Sequence, residues 1–421
     1  MRIDIEKFKN IAQKYKKSLI VAGSVFVLML GMLFVGAGTS KNFFIFPASE
    51  KYEIKDVDQK IKEGISLLKS SPPLQYETSN GTHSGALRKK QIAFAILDKK
   101  TGDIFEKRFW MDESQAQKAR ETGILSLVPL ENDPDPLRVT VRWWNSFNSM
   151  YDTPDDPHLM VIANKYLIER DELPEQTTLL LSLDGPVSKY TDMVYVPYSE
   201  DIHWIDVMKE GKDYLLKNID RAYEELEDND VISLASPEEL ITDVIPKEIL
   251  SNIIFTEQTD TRALLMSDDK GKRLVERVLV ILGSNEEWAY KYTGSSAGAT
   301  GIAQFIEPTY DGMVELYPEA EMIKDYRLGM GDHVNAMKAM VLFLDSHKAS
   351  LQRSINEDKL TEGITEEMLA ATYNGGPSRT IQSVNKYGSG WADSPIFREE
   401  TRDYIEKYKI IDKLNILSTL N

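Results

Sequence analysis

The residues of this chain whose types and spacing could do chemistry are a few glutamates at the ends of apolar helix faces and a glycine turn with amides nearby. Glu257 closes the run Glu248-Ile249-Leu250-Ser251-Asn252-Ile253-Ile254-Phe255-Thr256-Glu257. It lies three, four and seven positions after Ile254, Ile253 and Leu250, so on a helix beginning at Pro246 it continues the apolar face. Burial there penalises the charged form, and the negative end of the helix dipole acts in the same direction. A carboxylic acid that stays protonated near neutral pH can give its proton to a leaving oxygen. Glu286, with Glu287 beside it, is the rival: Leu279 and Leu282 precede it at helical spacing, although Gly283-Ser284-Asn285 should end that helix first.

The glycine turn lies in the stretch from Ser295 to Tyr310. Gly298 and Gly301 bracket a tight turn that a side chain would obstruct, so that backbone can approach a ligand closely. Gln304 offers an amide beside it, and Pro308 suits the first turn of a new helix. Farther on, a helix introduced by Thr365-Glu366-Glu367 runs through Ala371-Thr372-Tyr373-Asn374 into a Gly375-Gly376-Pro377 stop. That places Tyr373 and Asn374 at its exposed C-terminal end.

Taken in this order, Gly-Ala-x-Gly-x-x-Gln-x-x-x-Pro-Thr followed by Ala-x-Tyr-Asn-x-Gly-Pro resembles the lysozyme-like lytic transglycosylases, which cleave the glycan strands of peptidoglycan. The resemblance covers roughly residues 236 to 421. Ile302-Ala303 stands where the family commonly has Leu-Met, which is partly like the membrane-bound B type, and Gln258 stands where Ser often follows the catalytic Glu. In many soluble members the catalytic Glu lies shortly before the Gly-Ala turn, as Glu286 does. The B-type relatives carry a helical insert between the two, which residues 270 to 281 resemble. The resemblance implies that Gln304, Tyr373 and Asn374 hydrogen-bond the sugar's N-acetyl group and hold the catalytic carboxylate, while backbone near Gly298 and Ala299 lines the cleft. Tyr292, Phe305 and Tyr310 are available for stacking on sugar faces. It further implies a single carboxylate, Glu257, acting first as acid and then as base on the sugar's own 6-hydroxyl, leaving a 1,6-anhydromuramoyl end. A lysozyme-type hydrolase needs a second carboxylate, for which Asp260 and Asp268 are candidates. A non-catalytic domain that binds glycan and anchors a wall-spanning assembly is the alternative from another class.

The elements that must position these residues follow from composition and patterning. The 421 residues suffice for two globular domains, and 42% hydrophobic with 28% charged residues argues against disorder. A net charge of -17 makes nucleic acid an unsuitable partner, since phosphate binding needs clustered cations. The absence of cysteine excludes disulfides, thiolate zinc sites and a lipid-modified cysteine anchor. The five histidines form no His-Glu-x-x-His pair, so neither a metal nor a cofactor is expected. Residues 18 to 38 carry no charge and are long enough to span a bilayer. Arg2, Lys7, Lys9, Lys14, Lys16 and Lys17 before them, against Asp4 and Glu6, keep the N-terminus in the cytoplasm and place the rest outside. Val35-x-Ala37 is an alternative, cleavable reading of the same segment.

The expected organisation is a basic tail (1–17), a transmembrane anchor (18–38), an external α+β domain (39–235) and a mainly helical, lysozyme-like domain (236–421). In the external domain, residues 55–70 read as an amphipathic helix, and 91–97 with 104–110 as a hairpin. Residues 137–144, 178–183 and 193–198 read as strands, and 158–170 and 204–226 as helices. The Trp143-Trp144 pair reads as core and the acidic run 224–230 as a solvated helix end. Ser236-Pro237-Glu238-Glu239 reads as a capping box opening the first helix of the second domain. The fold class is therefore α+β with a membrane anchor.

Overall fold

The computed structural model describes residues 54, 56–79, 87–122, 124–126, 128–129, 138–144, 148–153, 155–169, 190–269, 271–360 and 363–420. The expected membrane span at 18–38 and strand at 178–183 lie outside these residues. Among the described residues no helix is long and apolar enough to cross a membrane.

Helix α1 (Val57–Ser70) is the amphipathic helix expected there and buries Val57, Ile61 and Leu68. β1 (Tyr76–Thr78), β2 (Leu87–Asp98) and β3 (Ile104–Asp112) follow. β2 and β3 form the expected hairpin, in register from Lys89 opposite Asp112 to Leu97 opposite Ile104. Then come α2 (Glu113–Thr122), β4 (Ile124–Ser126), β5 (Val128–Pro129), β6 (Arg138–Trp144), β7 (Asn148–Asp152), β8 (Leu159–Glu169) and β9 (Tyr190–Tyr195). The larger sheet has the order β5-β3-β2-β8-β9, with β1 also paired to β2; β4-β6-β7 form a second, and all these pairs are antiparallel. β2 is apolar from Ile92 to Leu97, where both its faces are covered. Ala93, Ala95 and Leu97 join the core that holds α1, while Ile92, Phe94 and Ile96 pack with Phe109, Val139 and Tyr151. Gly64 allows α1 to lie close, since a Cβ there would stand 2.7 Å from Ile162 Cγ2.

The helix expected over 158–170 is instead β8. Leu159, Ile162, Ala163, Tyr166 and Leu167 recur at helical spacing, but a strand covered on both faces also reads as a continuous apolar run. A register shift between Ala95 and Ile96 leaves Ile162 as an extra residue in β8. Ile162 and Ala163 therefore both join the α1 core, which breaks the alternation that marks a strand.

Beyond β9, α3 (Ile205–Asp228) forms as expected. Ser236 does not open a helix. Its hydroxyl donates to the Glu239 carboxylate and its N–H to Ser233 Oγ, so the reciprocal side-chain-to-backbone bonds of a capping box do not form, and Ile232 pairs with Leu240 to fold the segment back on itself. Buried Asp345 holds that segment, accepting from Ser233 Oγ at 2.5 Å, Leu234 N at 2.7 Å and Tyr317 Oη at 2.8 Å. The remaining helices are α4 (Ile241–Val244), α5 (Lys247–Gln258), α6 (Thr261–Leu265), α7 (Lys272–Asn285), α8 (Glu307–Leu316), α9 (Tyr326–Gly331), α10 (His333–Ser354), α11 (Glu366–Gly375), α12 (Pro377–Tyr387), α13 (Glu399–Leu414) and α14 (Ile416–Thr419). α10 is buried on nearly every side along its first half and forms the axis of the helical layer.

α3, which precedes residue 236, packs on α7 and α10. Gly211 and Gly283 make that approach possible: a Cβ on the first would overlap the Leu279 carbonyl, and one on the second the Val207 carbonyl. Gly283 thus serves a helix crossing, and α7 passes through it to end at Asn285, still before Glu286. Asn285 joins the layers as well, accepting from Val196 N at 2.7 Å and donating to Val196 O at 3.1 Å. The described chain is an α+β structure.

Candidate active site

α5 is the helix expected from Pro246, with Ile249, Leu250, Ile253, Ile254 and Phe255 all buried and Thr259 at its C-cap. Glu257 sits in its last turn. The carboxylate accepts a hydrogen bond of 2.7 Å from Tyr404 Oη, delivered by α13. Burial pushes the Glu257 carboxyl up to about 7, against the Tyr404 hydrogen bond and the Lys407 ammonium, which favour the charged form. Glu400 adds a smaller upward push. Tyr404 and Lys407 are themselves buried on the inner face of α13 with Thr401 and Tyr408.

The glycine turn is next to this helix end. Gln258 Nε2 donates to the carbonyls of Ile302 at 2.9 Å and Gly301 at 3.3 Å, which ties the residue after Glu257 to the turn. Gly301 has φ 75° and a Cβ there would overlap the Met330 carbonyl, so both angle and space require glycine. At Gly298 (φ 84°) nothing lies within 4 Å of a built Cβ; the angle alone makes the requirement, not obstruction. Ala299 is buried, with its N–H donated to Ser295 Oγ at 3.1 Å and its carbonyl accepting from Ser295 N at 2.9 Å. Gln304 Nε2 folds back onto the Gly301 carbonyl at 2.7 Å, acting as a strut of the turn.

α11 brings Tyr373 and Asn374 to the same place. Tyr373 Oη donates to the Ala303 carbonyl at 2.7 Å, and its ring packs on Phe305 and Phe343 at centroid separations of 5.5 and 5.4 Å. Burial raises the pKa of its phenol, and the nearby Glu257 charge raises it further. The expectation that Tyr373 holds the carboxylate by hydrogen bond is corrected in detail: Tyr373 holds the turn, and Tyr404 holds the carboxylate. Asn374 is exposed and its Oδ1 accepts from Thr401 Oγ1 at 2.9 Å.

The other expected residues lie apart. Glu286 and Glu287 are exposed on a 3-10 turn and rim a cleft of about 670 Å³ that Tyr214, Arg221, Lys291 and His333 also line. None of the turn or α11 residues lines it. Asp260 caps α6, accepting from Ala263 N at 2.6 Å, and Asp268 is exposed in the turn after α6. Phe305 and Tyr310 are core residues, not stacking surfaces, while Tyr292 is half-buried against Trp288. Among the described residues no group of His, Cys, Asp and Glu could hold a metal ion.

Tyr404 and Lys407 were not singled out from the sequence. The signal was nevertheless there, since Thr401, Tyr404, Tyr408 and Ile411 recur at helical spacing and put polar groups on an inward face. Compared with family models, with curated proteins and with solved structures, the chain finds no match in any of the three.

Proposed function

We propose that the protein is a membrane-anchored lytic transglycosylase that cuts peptidoglycan glycan strands between N-acetylmuramic acid and N-acetylglucosamine outside the cytoplasm. The observation that carries this reading is the Glu257 carboxyl, held by Tyr404 at a helix end beside the glycine turn, with burial raising it to about 7. Near that pH both protonation states are populated, as a group needs that gives a proton in one step and takes one in the next. Glu257 protonates the leaving glycosidic oxygen as the bond to the anomeric carbon breaks. The resulting carboxylate then takes the proton of the muramoyl 6-hydroxyl, whose oxygen bonds to that carbon and closes the 1,6-anhydro ring. No water is consumed, so the product end is lighter by one water than a hydrolysed end.

A hydrolase would need a second carboxylate to activate water or to form a glycosyl intermediate. Asp260 is engaged as a helix cap and Asp268 stands in an exposed turn, which favours the single-carboxylate route. Mass spectrometry of peptidoglycan digested by the full chain separates the outcomes. Anhydromuramoyl ends support the proposal, reducing ends replace it with a hydrolase, and an undigested wall leaves a glycan-binding anchor of an envelope assembly.

A further inference from the structure

We propose that Lys407 is a positioning residue of this site: from α13 its ammonium ties down the end of the helix that carries Glu257, and its charge favours the ionised form of that glutamate. The inference rests on the reading of Glu257 as the reacting acid. Lys407 is 3% exposed, and a buried ammonium persists only where partners replace its water. Its partners are the Thr259 carbonyl and, at 3.3 Å, Thr261 Oγ1. Thr259 is the C-cap of α5 and follows Glu257 by two residues. Carbonyls at a helix C-terminus lack an intrahelical partner, and a cation there also meets the negative end of the dipole. Lys407 lies three residues after Tyr404 on the same helix, so one face of α13 delivers both the hydrogen bond to the carboxylate and the clamp on its helix.

The charged and titratable groups facing this pair are Tyr404 and Glu400 from α13, Tyr373 from α11 and Asp260 at the start of α6. Lys407 is the sole cation among them. Burial lowers the lysine to about 8 while the Glu257 charge raises it, and the lysine in turn restrains the upward push on Glu257. In the proposed reaction the proton moves from Glu257 to the leaving oxygen, and later from the 6-hydroxyl to Glu257. Lys407 keeps its own proton throughout and stabilises the carboxylate between the two transfers.

The test uses the full chain with Lys407→Met and Lys407→Arg, each checked for folding by circular dichroism. The midpoint of Glu257 protonation is read as the carboxyl infrared difference between each protein and its Glu257→Gln counterpart. Lys407→Met should move the midpoint up by about one unit, and the alkaline limb of kcat/KM for glycan release should move with it. Lys407→Arg should leave both in place. An unmoved midpoint in folded Lys407→Met overturns the proposal. Should that variant not fold, the coupling is read from the other side: Glu257→Gln should lower the Lys407 midpoint seen by carbon NMR of its ε-position, and an unchanged midpoint overturns it. A protein that shows the shifts but releases no glycan fragments overturns the catalytic reading while the electrostatic coupling stands, so the two failures are distinct.

Discussion

Helices α5 and α7 each bring a glutamate to their C-terminal end after an apolar face, and the two ends differ in everything that follows. At the end of α5, α13 supplies a tyrosine hydroxyl and a buried ammonium, α11 supplies Tyr373, and Gln258 fastens the end to the glycine turn. At the end of α7, the chain turns out into solvent, with Glu286 at φ 47° and Glu287 beside it on the rim of an open cleft. Helical spacing cannot distinguish the two. What distinguishes them is a distant element, because α13 closes over one end and not the other.

The largest expected difference between the two ends is catalytic. Glu257→Gln should lower glycan release by about 10³-fold, measured on purified peptidoglycan, while Glu286→Gln and Glu287→Gln leave it unchanged. The opposite pattern would exchange the roles of the two helices.

A difference in stability comes next. The folded Glu257 carboxyl binds its proton more tightly than the usual 4.5, so its contribution is fully present below that value and is lost as pH rises through about 7. Above neutral pH, Glu257→Gln should therefore be more stable than the wild type by roughly 3 kcal/mol, with the advantage vanishing in mild acid. Urea denaturation at two pH values reads this directly, and an advantage that did not depend on pH would contradict it. Glu286→Gln should change stability by less than about 0.5 kcal/mol at either pH.

Tyr404→Phe removes a hydrogen bond to the charged form of Glu257. Glycan release should fall about tenfold, and the alkaline limb of the pH profile should move upward, since that hydrogen bond holds the carboxyl down. A fall without movement of the limb would leave Tyr404 a packing residue. The smallest effect concerns the α7 end: Glu286 occupies a left-handed angle that favours glycine, so Glu286→Gly should raise stability by about 1 kcal/mol with glycan release untouched. A loss of activity there would mean that the cleft takes part in the reaction.

Much of the helical layer was legible in sequence because its signals are local. The apolar face of α5, the Gly301 angle, Pro308 at the start of α8 and the Gly-Gly-Pro stop after Tyr373 all act within a few residues of themselves. β8 was misread for the complementary reason, since coverage of its two faces comes from α1 and from β6 and β7 rather than from its own pattern. The Ser236 capping box failed similarly: its two side chains bond each other instead of the backbone, and Asp345, more than one hundred positions on, holds that backbone in turns. At the site, Glu257 was readable from its own helix, whereas Tyr404 and Lys407 acquire meaning only once α13 is docked.

The glycine contact between α3 and α7 bears on how the molecule can be divided. α3 ends before Ser236, yet its backbone lies against α7 at Gly211 and Gly283 so closely that no side chain could fill the seam. A fragment cut at residue 236 would strip that neighbour away and bare Leu279, Leu282 and the adjacent apolar face of α7 to water. The shortest soluble piece therefore begins ahead of Ile205, and recombining the helical layer with an unrelated N-terminal partner would demand that the newcomer bring its own close-packing helix.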